Sequence, residues 1–167
     1  YPAFLDDYAF LIQSCIYLQE TTSNSTYLVW AQRLVDHVTS NFAEPGTGYF
    51  FFTGVDQNDV IVRKKEVYDG ATPSGNSVMA DNLFYLAIIF DRQDLHQIAV
   101  KALDALNDAI VNYPTSFATW ATLIMRKLYG IKEIVIAGNE FEGGRDMLLR
   151  SYLPNKIVQC AAAENVL

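Results

Sequence analysis

Apolar residues fall into a helical rhythm from the start of the chain. Leu5, Tyr8, Ala9, Ile12, Cys15 and Ile16 recur at the spacing that lays one stripe along a helix. A helix over 4–21 is predicted, with Asp6 and Asp7 in its first turn, where carboxylates suit the helix dipole. TTSNS at 21–25 is a turn with capping residues. The rhythm resumes from Thr26 to Phe42 through Tyr27, Ala31, Leu34, Val35 and Val38, and the two helices pair as an αα-hairpin.

EPGTG at 44–48 breaks the pattern. YFFFT (49–53) and VIVRK (60–64) are short β-prone runs around GVDQND and read as a β-hairpin. Helical spacing returns over 74–90, 94–111 and 115–129, with Met79, Leu83 and Leu86 on the first of these, Ala99, Leu103 and Ile110 on the second, and Trp120 and Ile124 on the third. KEIVIAG (132–138) and NKIVQCA (155–161) then read as strands around a short helix over 140–152. The predicted fold class is mainly α: helical hairpins with a β-hairpin insertion, then a small βαβ-like C-terminal element. Residues 1–130 form the helical part and 131–167 the terminal α/β element. Five long helices do not close a ring, so the helical layer is expected to be truncated.

Composition narrows the function classes. The chain has 167 residues, 51% hydrophobic, enough for one domain with a sizeable core. A net charge of -7 argues against nucleic acid as partner, because phosphate contacts need clustered Lys and Arg. The basic run Arg63-Lys64-Lys65 reads as a solvated strand end. No apolar run approaches the ~20 residues of a membrane span. Cys15 and Cys160 lie far apart in apolar segments, and their expected state is two buried free thiols. No metal-ligand spacing is present, and no cofactor is expected. The chain opens on Tyr-Pro rather than Met, so removal of an N-terminal part is expected. A reducing, cytoplasmic setting is the default expectation.

Four segments carry a family resemblance: LDDYAFLI, GTGYFFFT, KEVYDGATPSGNSVMADNLFYLA and KEIVIAGN, in that order. Over nearly all of residues 4–160 the chain resembles the C-terminal part of the long thioredoxin-domain proteins of the bacterial YyaL type and the animal spermatogenesis-associated type. The resemblance implies a partial α/α toroid, the last two to three of six helical hairpins. Such a toroid is similar to those of N-acylglucosamine 2-epimerases and six-hairpin glycosidases. It further implies a parent chain that supplies a thioredoxin-like domain and the first half of the toroid. Fold-level likeness to sugar enzymes is analogy and does not fix a reaction.

The toroid reading selects candidate residues at the N-terminal ends of inner helices. Of Asp6-Asp7-Tyr8, Asp7 is preferred as acid or base and Tyr8 as ligand contact. Adjacent helical positions diverge by about 100°, so one carboxylate faces the cavity. Charge at a helix start is the structural alternative. Glu66 and Asp69, with Tyr68 between them, form a second carboxylate group able to bind hydroxyls or shuttle protons. The alternative there is an Asp69-Gly70 turn with Glu66 paired to Arg63 or Lys64. YDGATPSGNS opens the third helix, with Thr72 or Ser74 as N-cap and Pro73 suited to its first position. The same run lacks the GK[ST] ending of a P-loop and the surroundings of a nucleophilic serine. Thr72, Ser74 and Asn76 are therefore read as ligand contacts.

Two functions follow. In the first, the parent protein acts on a sugar-like small molecule by acid–base chemistry of epimerase or glycosidase type, using Asp7, Glu66 and Asp69. In the second, the toroid is a non-catalytic binding or scaffold module beside a redox domain. In either case this chain alone is expected to be inactive and to self-associate through exposed helix faces.

Overall fold

The computed structural model of the protein describes residues 3–57 and 61–162. Helix α1 (Leu5–Thr22) and α2 (Thr26–Asn41) form the first hairpin. Leu5, Ala9, Ile12, Ile16 and Gln19 make the buried stripe of α1, and Leu28, Ala31, Val35 and Val38 that of α2. The chain leaves α1 through Ser23 in the left-handed region (φ 61°) and turns at once into α2.

A second hairpin follows, α3 (Gly75–Ile89) against α4 (Gln93–Ala105). Helix α3 is the centre of the molecule. Twelve of its 15 residues are buried, because it is packed by α1, α4 and α6 (Ala118–Tyr129). Its sequence is apolar or small on all sides, the composition an enclosed helix requires. The predicted helix over 94–111 is interrupted at Leu106, and α5 (Asn107–Asn112) starts afresh. Asn107-Asp108 at that point favours a new helix start over a helix interior. A 3-10 turn over Pro114–Ser116 leads into α6.

Helices α1, α3 and α6 lie side by side with their N-termini at one end. Asp6 on α1 meets Gly75 on α3, while nearer the other end the Tyr85 hydroxyl donates to Glu20 Oε1 at 3.0 Å. Asp69 links the starts of α3 and α6, and Arg126 pairs with Asp81 further along. The short connections at 23–25 and 90–92 return α2 and α4 antiparallel to this row.

The predicted β-hairpin is absent: residues 49–53 and 61–64 form no ladder, and position 60 lies outside the described residues. Side chains have taken the backbone groups a ladder would use. Asn76 accepts the Phe50 amide at 2.7 Å and donates to its carbonyl at 2.9 Å. The Arg63 guanidinium holds the Thr53 carbonyl at 3.0 and 2.6 Å. What remains is a lone antiparallel bridge, Ala43 to Phe50, and one bond from the Phe52 amide to the Lys64 carbonyl at 2.8 Å.

The C-terminal element forms as expected. Strands β1 (Lys132–Ala137) and β2 (Lys156–Ala161) pair in parallel with Lys132 opposite Lys156, and α7 (Phe141–Leu149) connects them. The sheet docks where α1 ends. Gln19 Nε2 donates to the Val158 carbonyl (3.3 Å) and to Gln159 Oε1 (3.2 Å), and Ile157 joins the helical core. A cavity of about 930 Å³ lies beside this contact, lined by Gln19, Ile88, Ile134, Phe141 and Gln159, and none of the predicted site residues borders it. Cys15 and Cys160 are free and buried, and burial pushes both thiols above the ordinary range. Among the described residues, no helix is long and apolar enough to cross a membrane.

Candidate functional site

The stretch from Glu66 to Ser77 climbs to the N-terminus of α3. The Asp69 amide is anchored on the Ser116 carbonyl (2.9 Å), and the Gly70 amide donates to the Thr72 carbonyl (3.1 Å), making the tight turn. Ser74 is the N-cap, extended at φ -71° and ψ 150°, and its hydroxyl accepts the Ser77 amide at 3.2 Å. Pro73 stands one place before the cap rather than in the first helical position. Thr72 is exposed.

Asp69 is buried and fully engaged. Its Oδ1 accepts the Ser74 amide (2.9 Å) and the Ser77 hydroxyl (2.6 Å); its Oδ2 accepts the Thr119 amide of α6 (2.9 Å). Asn76 is equally committed: it serves Phe50 on both backbone groups and donates to the Glu66 carbonyl at 2.8 Å. A buried polar side chain must find partners, and these have found them in the backbone and in the Ser77 hydroxyl. Asp69, Ser74 and Asn76 thus hold three chain segments together at the mouth of the helical row.

The remaining candidates are more open. Glu66 is exposed, with Oε1 accepting the Tyr68 amide at 3.1 Å. Tyr68 is half exposed, its ring edge-on to Phe117 and its hydroxyl 2.8 Å from Ser116 Oγ. Tyr8 packs against the rings of His37 and Phe42 at 5.0 and 5.3 Å. Asp7 turns back on its own helix start, where Oδ2 accepts the Phe4 amide at 2.8 Å.

Asp6, rather than Asp7, is the carboxylate directed at α3. A Cβ built on Gly75 would collide with Asp6 Oδ1, so the missing side chain at Gly75 makes the approach possible. Burial raises the Asp6 carboxyl above its ordinary value; the Gly75 amide opposes the shift, and the charges of Asp7 and Glu66 add to it. Asp7 and Glu66 are therefore both within electrostatic reach of Asp6, while Asp69 is turned inward. Of Asp6 and Asp7, the sequence pattern alone favours Asp7. The signal that decides between them is Leu5 and Ala9, whose burial fixes the rotation of α1.

This group sets a partly buried acid beside two further carboxyl side chains, and it can bind hydroxyls through Glu66, Tyr68 and Thr72. Among the described residues there is no group of three or more His, Cys, Asp or Glu side chains able to hold a metal ion.

No family model matches the chain. It is 32% identical over 160 residues to mouse spermatogenesis-associated protein 20, an alignment that covers 93% of this chain and 20% of that protein. The human protein of the same name is 31% identical over 160 residues, with the same coverage. An uncharacterized protein of Caenorhabditis elegans is 31% identical over 137 residues, 82% of this chain and 18% of that protein. The chain thus spans about one fifth of the length of the curated relatives it matches.

Proposed function

We propose, for a chain homologous to spermatogenesis-associated protein 20, that its row of helices is one section of a larger α/α toroid that holds a sugar-like small molecule. The ligand sits at the end where α1, α3 and α6 begin. Asp6 and Glu66 are its acid and base, with Asp7 tuning Asp6 by charge. Tyr68 and Thr72 contact hydroxyls. Asp69, Ser74 and Asn76 fix the backbone that presents them. The βαβ element from Lys132 to Ala161 caps the opposite end of the toroid.

One observation carries this reading: the Asp6 carboxyl is set against Gly75 at the start of α3, raised above its ordinary value first by burial, with the charges of Asp7 and Glu66 adding to the shift. Environments that push neighbouring carboxyls apart mark acid–base assignments. The test uses the full-length protein with free and phosphorylated sugars. Thermal stabilisation by a sugar, lost in Asp6→Asn and Glu66→Gln with folding intact, supports it. No stabilisation by any sugar sinks it.

A second reading has its own observation. The most conspicuous polar residues, Asp69, Ser74 and Asn76, are buried, and their side chains are committed to neighbouring backbone groups and the Ser77 hydroxyl. On this reading the module is a scaffold beside a thioredoxin-like domain. Asp6→Asn and Glu66→Gln would then leave redox activity and ligand behaviour of the full-length protein unchanged.

A further inference from the structure

A cleft of about 240 Å³ opens on the flank shared by α1, α3 and α6, beside the loop that enters β2. Its polar wall is made by Tyr17, Glu20, Asp81, Tyr85, Arg126 and Lys156. Asp6 and Tyr17 are eleven positions apart on α1, about 16 Å along the axis. The cleft is therefore separate from the carboxylates at the helix starts.

Hydrogen-bonding capacity is uncommitted here, in contrast to the run at 69–77. Arg126 reaches Asp81 through Nη1 alone, and its buried Nε has no partner among the described residues. Glu20 receives the Tyr85 hydroxyl (3.0 Å) and the Val158 amide (3.3 Å) on the same oxygen, Oε1. Lys156 forms no ion pair within the described residues. Tyr17 is 56% exposed. Burial raises its hydroxyl above the ordinary value, with Asp81 and Glu20 adding to the shift and Arg126 opposing it, so these groups act on one another.

The formal charges cancel, Glu20 and Asp81 against Arg126 and Lys156. A neutral site gives a bare anion or cation no net attraction. It does alternate donors with acceptors, and each hydroxyl of a vicinal diol is both. The Tyr17 ring adds a flat apolar face. We propose that this cleft binds a small neutral polyol the size of one monosaccharide, with Arg126, Lys156 and the Tyr17 hydroxyl donating to its hydroxyls and Glu20 accepting from them. The ligand class rests on the sugar-like reading above; the site does not.

The experiment is saturation-transfer NMR with calorimetry on the full-length protein. D-mannose and myo-inositol are the probes, and inorganic phosphate and glycine the controls. Tyr17→Phe removes one hydroxyl and Lys156→Met keeps the side-chain length, so both should fold, as circular dichroism checks. Each is expected to weaken polyol binding about five- to tenfold, the loss of one hydrogen bond. Asp6→Asn is expected to remove at most the helix-start site and to leave a polyol-binding event that Tyr17→Phe and Lys156→Met weaken. Weakening by Asp6→Asn and Glu66→Gln alone would overturn the cleft and leave the proposed function standing. Complete loss of polyol binding in Asp6→Asn would overturn a separate site. No polyol binding to the unaltered protein would overturn both readings. Phosphate or glycine binding more tightly than either polyol, and weakened by Lys156→Met, would overturn the ligand class.

Discussion

Asp69 and Thr119 stand 50 positions apart in the chain, yet the Thr119 amide donates to Asp69 Oδ2 at 2.9 Å. The other oxygen holds Ser74 and Ser77, so one buried carboxylate starts two helices. Asn at this position would keep the size and turn one oxygen into a nitrogen that donates toward an N–H. Asp69→Asn is expected to cost about 2–4 kcal/mol of stability, since a buried network loses an acceptor. Urea unfolding measures it; a midpoint equal to that of the unaltered chain would contradict the assignment.

Asn76 bridges the strand-like segment at Phe50 and the loop at Glu66 to the first turn of α3. Asn76→Asp replaces the Nδ2 donor by an oxygen facing two carbonyls. A loss of about 2–4 kcal/mol is expected at neutral pH. Asn76→Ala, which removes the group without introducing charge, should cost less than Asp in the same titration.

Two glycines inside helices should answer oppositely to Ala. At Gly75 the new methyl would meet Asp6 Oδ1 and, at 3.1 Å, Leu5 Cγ; Gly75→Ala is expected to destabilise by about 1–3 kcal/mol. At Gly143 on α7 there is open space, and Gly143→Ala should stabilise by about 0.5–1 kcal/mol. Thermal melts of the pair provide an internal control.

Asp6 makes stability depend on pH. Its carboxyl is raised above 3.8, by burial first, so the folded chain holds a proton that the unfolded chain has released. Stability contributed at this position is greatest at low pH and falls as pH climbs from 3.8 through the raised value. Asp6→Asn carries no such proton. Its stability relative to the unaltered chain should therefore rise across that window and level off above it. A difference that stays constant across the titration would mean that burial leaves the carboxyl unperturbed.

Helix legibility came from periodicity. The stripes on α1, α2 and α4 were visible because a helix with one solvent face must alternate. The hairpin at 49–64 was misjudged because β-propensity says nothing about a distant competitor: Asn76 occupies the backbone of Phe50. The βαβ element was legible from its two short apolar runs. The helix-start residues are legible as a group because they are clustered in sequence. Which of Asp6 and Asp7 faces α3 depends on a rotation of α1 that the packing of Leu5 and Ala9 fixes. The cleft residues, scattered from Tyr17 to Lys156, have no shared motif and meet only through packing.

Helix α1 keeps a second apolar face. Phe10, Leu11, Tyr17 and Leu18 are all exposed. The chain on its own is expected to sediment above its monomer mass of 18.8 kDa. Leu11→Glu combined with Leu18→Glu should restore a monomer with unchanged helical content. Monomeric behaviour of the unaltered chain at high concentration would remove this expectation.

The enclosure of α3 also governs how the molecule opens. A helix packed by α1, α4 and α6 cannot fray outward while its neighbours stay folded. Its central amides should exchange with solvent deuterium only through global unfolding, whereas those of α5 and α7 should exchange through local opening. Deuterium uptake at Leu83 and Leu86 therefore reads the stability of the whole helical assembly from one buried turn.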